Sequence, residues 1–445
     1  MKEITCNKPY RKHTLLKAFG ITILAFLLLV SIAGAAPFAY VINGDLPSGI
    51  NIIDTATNKV ISYVGGSLTG PGNLTGPGVT VNSAGTKVYV TNSDKNTVSV
   101  ISTAANKVTA TVNVGSNPYG VEVTLDGKKV YVANSDSNTI SVIGASTNTV
   151  TATVNVGSSP RGIVVTPNGQ MAYITNFNSN TVSVIDTATN KIKATVNVGN
   201  EPEGIAVTPD GKKVYVANSG TKYVSVIDTT TNKVTSTVNL GLNSDGSSRL
   251  PNEVAITPDG KKVYVADSGS YVLGSGFVSV INASTNKVIT TIEDGYFDNT
   301  GIAVTPDGKK VYVVNEGHTG TGYGVSVIDT TTNKVTGDVD SGQYFLIPYA
   351  FGKFIGSSVT PRPQKPVARF SGAPTSRKAP LTVKFTDQST NKPTSWSWKF
   401  GDGSTSNVQN PSHKYARKGA YTVSLRVKNG VGSSSLTKSK YITVK

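Results

Sequence analysis

Side chains that could do acid, base or ion-pair chemistry are few in the long repeated part of this chain, and they stand out against a nearly fixed background. Glu122 occupies a position where the parallel copies carry Thr80, Val164, Ala206, Ala255 and Ala303. A carboxylate on such an apolar strand is desolvated and needs a partner. Arg161 from the next copy is the expected partner, in a structural ion pair rather than a catalytic role. Nearby, the residue that follows a recurring loop proline is Tyr119, Arg161, Glu203, Asn252 or Tyr349. That variation has two readings, a binding surface built on a constant scaffold or simple tolerance at an exposed turn. Glu122, Arg161, Glu203 and Glu253 are the whole set from which an acid–base site could be assembled here.

Other chemistry has no visible carrier. The three histidines, His13, His318 and His413, are too far apart in the chain to suggest a metal triad. There is no haem-attachment pattern, phosphate loop or Gly-x-Ser-x-Gly, so no catalytic residue, metal site or cofactor is expected. The pairs Asp126-Gly127, Asp210-Gly211, Asp259-Gly260 and Asp307-Gly308 read as hairpin turns whose glycine supplies a positive φ, not as calcium ligands. Asp402, in Gly401-Asp402-Gly403, is read the same way.

The elements that must position these residues are repeats. Val130-Tyr131-Val132-Ala133-Asn134 is echoed around Tyr40, Tyr89, Tyr173, Tyr215, Tyr264 and Tyr312, at intervals of 49, 42, 42, 42, 49 and 48. One unit runs Gly120-Val121-Glu122-Val123-Thr124, a turn at Leu125 to Lys128, the tyrosine strand, Ile140-Ser141-Val142-Ile143, a turn at Ala145 to Asn148, and Val150 to Val154. Each segment is rich in Val, Ile, Thr and Tyr and is bounded by Asn, Asp, Gly and Ser. Four short antiparallel strands repeated seven times predict a seven-bladed β-propeller. The first copy lacks its inner strand, and Leu346 to Ile355 lies where that strand is needed, so the two ends are expected to complete one blade and leave no open edge.

Val88-Tyr89-Val90-Thr91-Asn92 and Thr208-Pro209-Asp210-Gly211-Lys212-Lys213-Val214-Tyr215-Val216 resemble the YVTN-type propeller repeats of archaeal surface-layer proteins. The resemblance implies fold and cell-surface setting more than chemistry.

The remainder is a second module. Residues 357–366, with three prolines in six positions, predict a semi-rigid linker between a propeller at 36–356 and a module at 367–445. Leu381 to Phe385 and Tyr421 to Lys428 alternate apolar and polar residues, and Trp396, Trp398 and Phe400 share one strand face. Trp398-Lys399-Phe400-Gly401-Asp402-Gly403, with Asn410 to Tyr415 and Gly419 to Val423, is similar to the polycystic-kidney-disease (PKD) domain, which implies an immunoglobulin-like β-sandwich of extracellular proteins. The fold class expected is therefore all-β, a seven-bladed β-propeller followed by an immunoglobulin-like β-sandwich.

Five basic residues precede an apolar run from Ala18 to Val30 and the small residues Ala33-Gly34-Ala35, which predicts export by a signal peptide at 1–35 or retention by an N-terminal anchor. No later segment is apolar enough to span a membrane. Cys6, the one cysteine, falls in that leader, so the mature chain is expected to rely on packing. Asn73 and Asn282 head N-glycosylation acceptor triplets.

Charge is unevenly spread. Residues 361–445 hold 16 basic and two acidic residues, 16 − 2 = +14 of the chain's total of +16. Lys384, Lys399, Arg426 and Lys428 alternate with core positions and are expected in solvent, as contacts to a polyanion or as a solubility feature. Outside the cell the polyanion is an acidic surface polysaccharide or another envelope component, not nucleic acid. The expected function is a non-enzymatic cell-surface protein with a structural or adhesive role. Its rivals are a lactonase-like propeller enzyme and a discrete carbohydrate-binding protein.

Overall fold

The computed structural model describes residues 38–43, 49–65, 77–270, 275–294, 299–315, 324–339, 348–349, 366–390, 393–429 and 432–445. Residues 1–35, expected as a leader, with Cys6 and His13, the sequon at Asn73, His318 and most of the expected linker lie outside them.

Seven four-stranded antiparallel sheets follow one another along the chain. Blades 2 to 7 occupy residues 79–113, 118–155, 160–197, 202–239, 251–293 and 299–338. Blade 1 combines Phe38–Asn43, Gly49–Asp54 and Lys59–Gly65 with Pro348–Tyr349 from the other end of the chain. The join is antiparallel, with Ile42 opposite Tyr349 and Asn43 opposite Pro348. Of the segment expected to close the ring, Leu346 to Ile355, the described part thus lies where closure requires it.

Local chemistry explains each blade. The Thr-x-Asp-Gly turn is tied by the aspartate, as where Asp126 Oδ1 accepts from the Thr124 hydroxyl at 2.7 Å and from the Lys128 N–H at 3.0 Å, while Gly127 takes φ +68°. The Thr124 bond first, then the Lys128 contacts, hold the Asp126 carboxyl below its ordinary range. In the outer hairpin an asparagine takes the left-handed conformation, as at Asn190 with φ +54°.

The repeated tyrosine has an inter-blade purpose. Tyr173 donates to Asn232 Oδ1 of the next blade at 2.7 Å, Tyr215 to Asn286 at 2.7 Å and Tyr264 to Asn333 at 2.8 Å. The lysine two residues earlier reaches the same hairpin, as with Lys262 Nζ on the Thr330 carbonyl at 2.6 Å. The latch also crosses the seam, since Tyr312 donates to Asn58 Oδ1 of blade 1 at 2.6 Å and Lys310 to the Thr55 carbonyl at 2.7 Å. The latch is unmade at Tyr89, where neither the hydroxyl nor Asn148 Oδ1 has a partner, and the equivalent Asn106 Oδ1 of blade 2 lacks one too.

The C-terminal module packs a three-stranded sheet (Phe370–Ala373, Leu381–Asp387, Ser412–Tyr415) against a five-stranded one that contains Ser395–Lys399, Gly419–Asn429 and Gly432–Val444. Trp398, Phe370, Phe385 and Phe400 fill the space between. Trp396 sits at the rim, where its indole N–H donates to Asp387 at 2.6 Å.

Candidate functional site

The loop-proline positions are not exposed turn residues. In blades 3, 4 and 5 the inner strand starts at the proline, and a bulge between Pro118 and Val121, Pro160 and Ile163, and Pro202 and Ile205 carries the next residue into the strand. Tyr119 and Glu203 are consequently buried, at 6% and 4% exposure, while Arg161 and Asn252 are half-buried. Simple tolerance at an exposed turn is thereby corrected for these four. For Tyr349 the backbone alone is described.

Three of these residues meet. The Tyr119 hydroxyl donates to Glu203 Oε1 at 2.6 Å, and Arg161 Nη1 donates to the same oxygen at 2.8 Å. The Arg161 guanidinium also lies 3.4 Å over the Phe177 ring and 5.1 Å from that of Tyr119. Arg161 therefore has its ion pair with Glu203 of the following blade, not with Glu122 as the spacing suggested. Glu122 instead accepts from the Thr80 hydroxyl at 3.3 Å. Asn252 likewise reaches the following blade, donating to the Asn299 carbonyl at 3.1 Å, and takes no part in the cluster. Burial first, and then the negative charge of Glu203, push the Tyr119 phenol well up.

Two further buried carboxyls lie outside this cluster, Glu253, one of the acids expected in the channel, and Asp267, which was not expected as a site. Glu253 lies against Gly204, so close that a side chain on that glycine would strike its Oε2. Burial raises its carboxyl well above the ordinary range, with Glu203 adding to the rise. Asp267 stands where the other copies have Asn92, Asn134, Asn176, Asn218 and Asn315. Its Oδ2 accepts from Ser279 at 2.8 Å, and its Oδ1 has no partner. Burial pushes this carboxyl up to about 7. The signal for Asp267 was present in the repeat, as an acid in an amide position.

On the sandwich, Lys384, Lys399, Arg426 and Lys428 are all exposed. They do not form one patch. Ser397 pairs with Arg426, Ser395 with Lys428 and Lys399 with Ser424, which places Lys399, Arg426 and Lys428 on one outer face of the five-stranded sheet. Across the next strand Arg426 and Lys428 face Ser435 and Ser433, so hydroxyls flank the cations. Lys384 lies opposite Ser412 on the three-stranded sheet, which turns it to the other side of the sandwich and corrects the expectation that all four act together. The module's acids are engaged elsewhere. Asp387 takes the Trp396 N–H, and Asp402 pairs with His413 at 2.8 Å. Among the described residues no Lys or Arg of this module is paired with a carboxylate.

Asn282 ends the third strand of blade 6 in the place of Asp186, Asp228 and Asp329. Its Oδ1 accepts from the Ser284 N–H and hydroxyl and the Thr285 N–H, at 3.0, 2.7 and 3.1 Å, so it has the same turn-forming role.

The model of the PKD domain matches residues 363–444. The C-terminal module is a PKD domain. The ring is matched in parts, by the 7-bladed lactonase β-propeller at 144–275 and the YNCE-like β-propeller at 66–172. No curated protein sequence matches the chain. Among solved structures, Kuenenia stuttgartiensis hydrazine synthase is similar at 20% identity and a TM-score of 0.54, over 75% of this chain and 100% of that one. A functionally unknown protein from Desulfotomaculum acetoxidans is similar at 19% identity and a TM-score of 0.56, over 72% and 99%. At such identities the likeness is one of fold. A propeller joined to a PKD domain fits an extracellular interaction or structural protein.

Proposed function

We propose that this chain is an exported cell-envelope protein with a structural or adhesive role, of the archaeal surface-layer kind that its YVTN repeats resemble. The propeller is the interaction platform, and the basic PKD domain contacts an acidic surface polysaccharide or another acidic envelope component. The observation that carries this reading is the unneutralised charge of the PKD domain and the linker before it, +14 over residues 361–445, with Lys399, Arg426 and Lys428 beside exposed hydroxyls on one sheet face. Such a face suits carboxylate and hydroxyl groups of a sugar polymer, and it presents its charge without an internal competitor.

The chain is a non-enzyme on this proposal. Its support is that the acid and base which converge in the ring, Glu203 and Arg161, are spent on each other and on Tyr119. A lactonase-type activity is the second reading, favoured by the family match over 144–275, which spans Arg161, Glu203 and Glu253. Lactone or ester hydrolysis that disappears in a folded Glu203→Gln protein would reverse the proposal.

Co-sedimentation of the mature chain with polygalacturonate tests the polyanion contact. Binding should weaken steeply from 0.1 M to 1 M salt, as the screening length falls from ~10 Å to ~3 Å. The triple variant Lys399→Glu, Arg426→Glu, Lys428→Glu should lose it while melting normally, and Lys384→Glu alone should matter little. Retention by the triple variant would reject that face as the contact.

A further inference from the structure

The inner strands of blades 4 to 7 enclose a cavity of about 280 Å³ in the ring's channel. Its wall is made of the aliphatic side chains of those strands. Pro167, Pro209, Pro258 and Pro306, which follow the strands and are half-buried to exposed, form the rim on the solvent side. Among the described residues that line it, Glu253 is the one with an ionisable side chain. The residue itself is 6% exposed, and the donor turned towards its carboxyl is the Val254 N–H. The Tyr119–Glu203–Arg161 cluster lies at the start of the inner strands and the proline rim beyond their ends.

We propose that this cavity binds a small aliphatic or aromatic amine, with the ammonium on the Glu253 carboxylate and the hydrocarbon body among the inner-strand side chains. A volume just below the ~300 to 1,000 Å³ of drug-sized pockets suits a ligand smaller than a drug. The sign of the ligand's charge follows from the inner strands, where Glu122, Glu203 and Glu253 outnumber Arg161. Arg161 is already held by Glu203, and the Tyr119 hydroxyl donates to Glu203 as well. The strand facing Glu253 from blade 7 contributes Ile302, Ala303 and Val304, none of which carries charge. Among the described residues of the inner strands, no cation is therefore left to pair with Glu253. Burial first, and then Glu203, favour the protonated acid while the cavity holds no ligand. When an ammonium docks, the carboxyl releases that proton to solvent, the ammonium keeps its own, and an ion pair in low dielectric replaces a neutral acid.

The probes are n-hexylammonium and its neutral analogue hexan-1-ol, titrated calorimetrically into the full chain at pH 7.5. Hexylammonium should bind one to one, roughly tenfold or more tighter than hexanol. Its heat should differ between phosphate and Tris buffers because a proton is released. Glu253→Gln, which keeps the shape of the neutral acid, should bring the two probes within a few-fold of each other and abolish the buffer dependence. Ala206→Leu, which narrows the cavity and leaves Glu253 in place, should weaken both probes. Failure of hexylammonium to bind, equal binding of hexanol, or unchanged ammonium affinity in Glu253→Gln overturns the proposal.

Discussion

Tyr119 and Glu203 belong to inner strands of blades 3 and 5, 84 residues apart, and the tyrosine hydroxyl donates to the carboxylate at 2.6 Å. Arg161 of the intervening blade completes the cluster from the side. A buried carboxylate with two donors from two different blades fixes three inner strands relative to one another, and it closes that side of the channel to anything that would need those groups.

Breaking this cluster should cost unequal amounts. Arg161→Met leaves Glu203 buried without its cation and should cost about 2 to 4 kcal/mol. Tyr119→Phe removes one donor and should cost about 1 to 2 kcal/mol. The double variant should lose less than the sum, because both act on one carboxylate. Urea melts of the four proteins check this, and strict additivity would show that the two contacts are independent.

The inter-blade latch makes a paired prediction. Tyr264 donates to Asn333, whereas the Tyr89 hydroxyl has no partner. Tyr264→Phe should therefore lower stability by about 1 kcal/mol, and Tyr89→Phe should be neutral or slightly stabilising, since it removes a buried unpaired hydroxyl. Equal effects in thermal melts would mean that the tyrosine packs rather than latches.

Asp267 should make stability depend on pH. Its carboxyl sits at about 7 in the folded protein, against an ordinary value of 3.8, so between those values the native state binds more protons than the unfolded chain. Stability is then lost as pH rises through that window and the loss is complete above it. Asp267→Asn, which restores the residue of the other blades and a donor for Ser279, should stabilise by about 2 to 4 kcal/mol at pH 8. The gain should shrink towards pH 4. A gain that is independent of pH would contradict the assignment.

Ring closure is tested by truncation. Pro348–Tyr349 supplies the inner strand beside Phe38–Asn43, so a chain ending at residue 342 leaves that strand edge bare. It should melt over a broader range and at a lower temperature than a chain ending at 358, which also lacks the PKD domain. Identical calorimetric transitions would show that the Tyr312 and Lys310 latches to blade 1 close the ring by themselves.

Much of this architecture is local and could be read in order along the chain. The Asp-Gly turns, the alternation of Leu381 to Phe385 and the tyrosine interval each depend on residues a few positions apart, so propensity and period specify strands, turns and blade number. Even the split of charge between ring and PKD domain is a property of the sequence alone. Which side chains meet is a different matter. The bulges after Pro118, Pro160 and Pro202 turn presumed loop residues into channel-facing ones, and the curvature of the ring gives Arg161 to Glu203 rather than to Glu122. Lys384 and Lys399 are equally exposed and equally basic, yet they lie on different sheets and face opposite ways. Spacing along the chain encodes which face of a strand a residue occupies. The partner on that face is set by strand order, bulge position and blade-to-blade rotation, which exist only once the distant parts of the chain have packed.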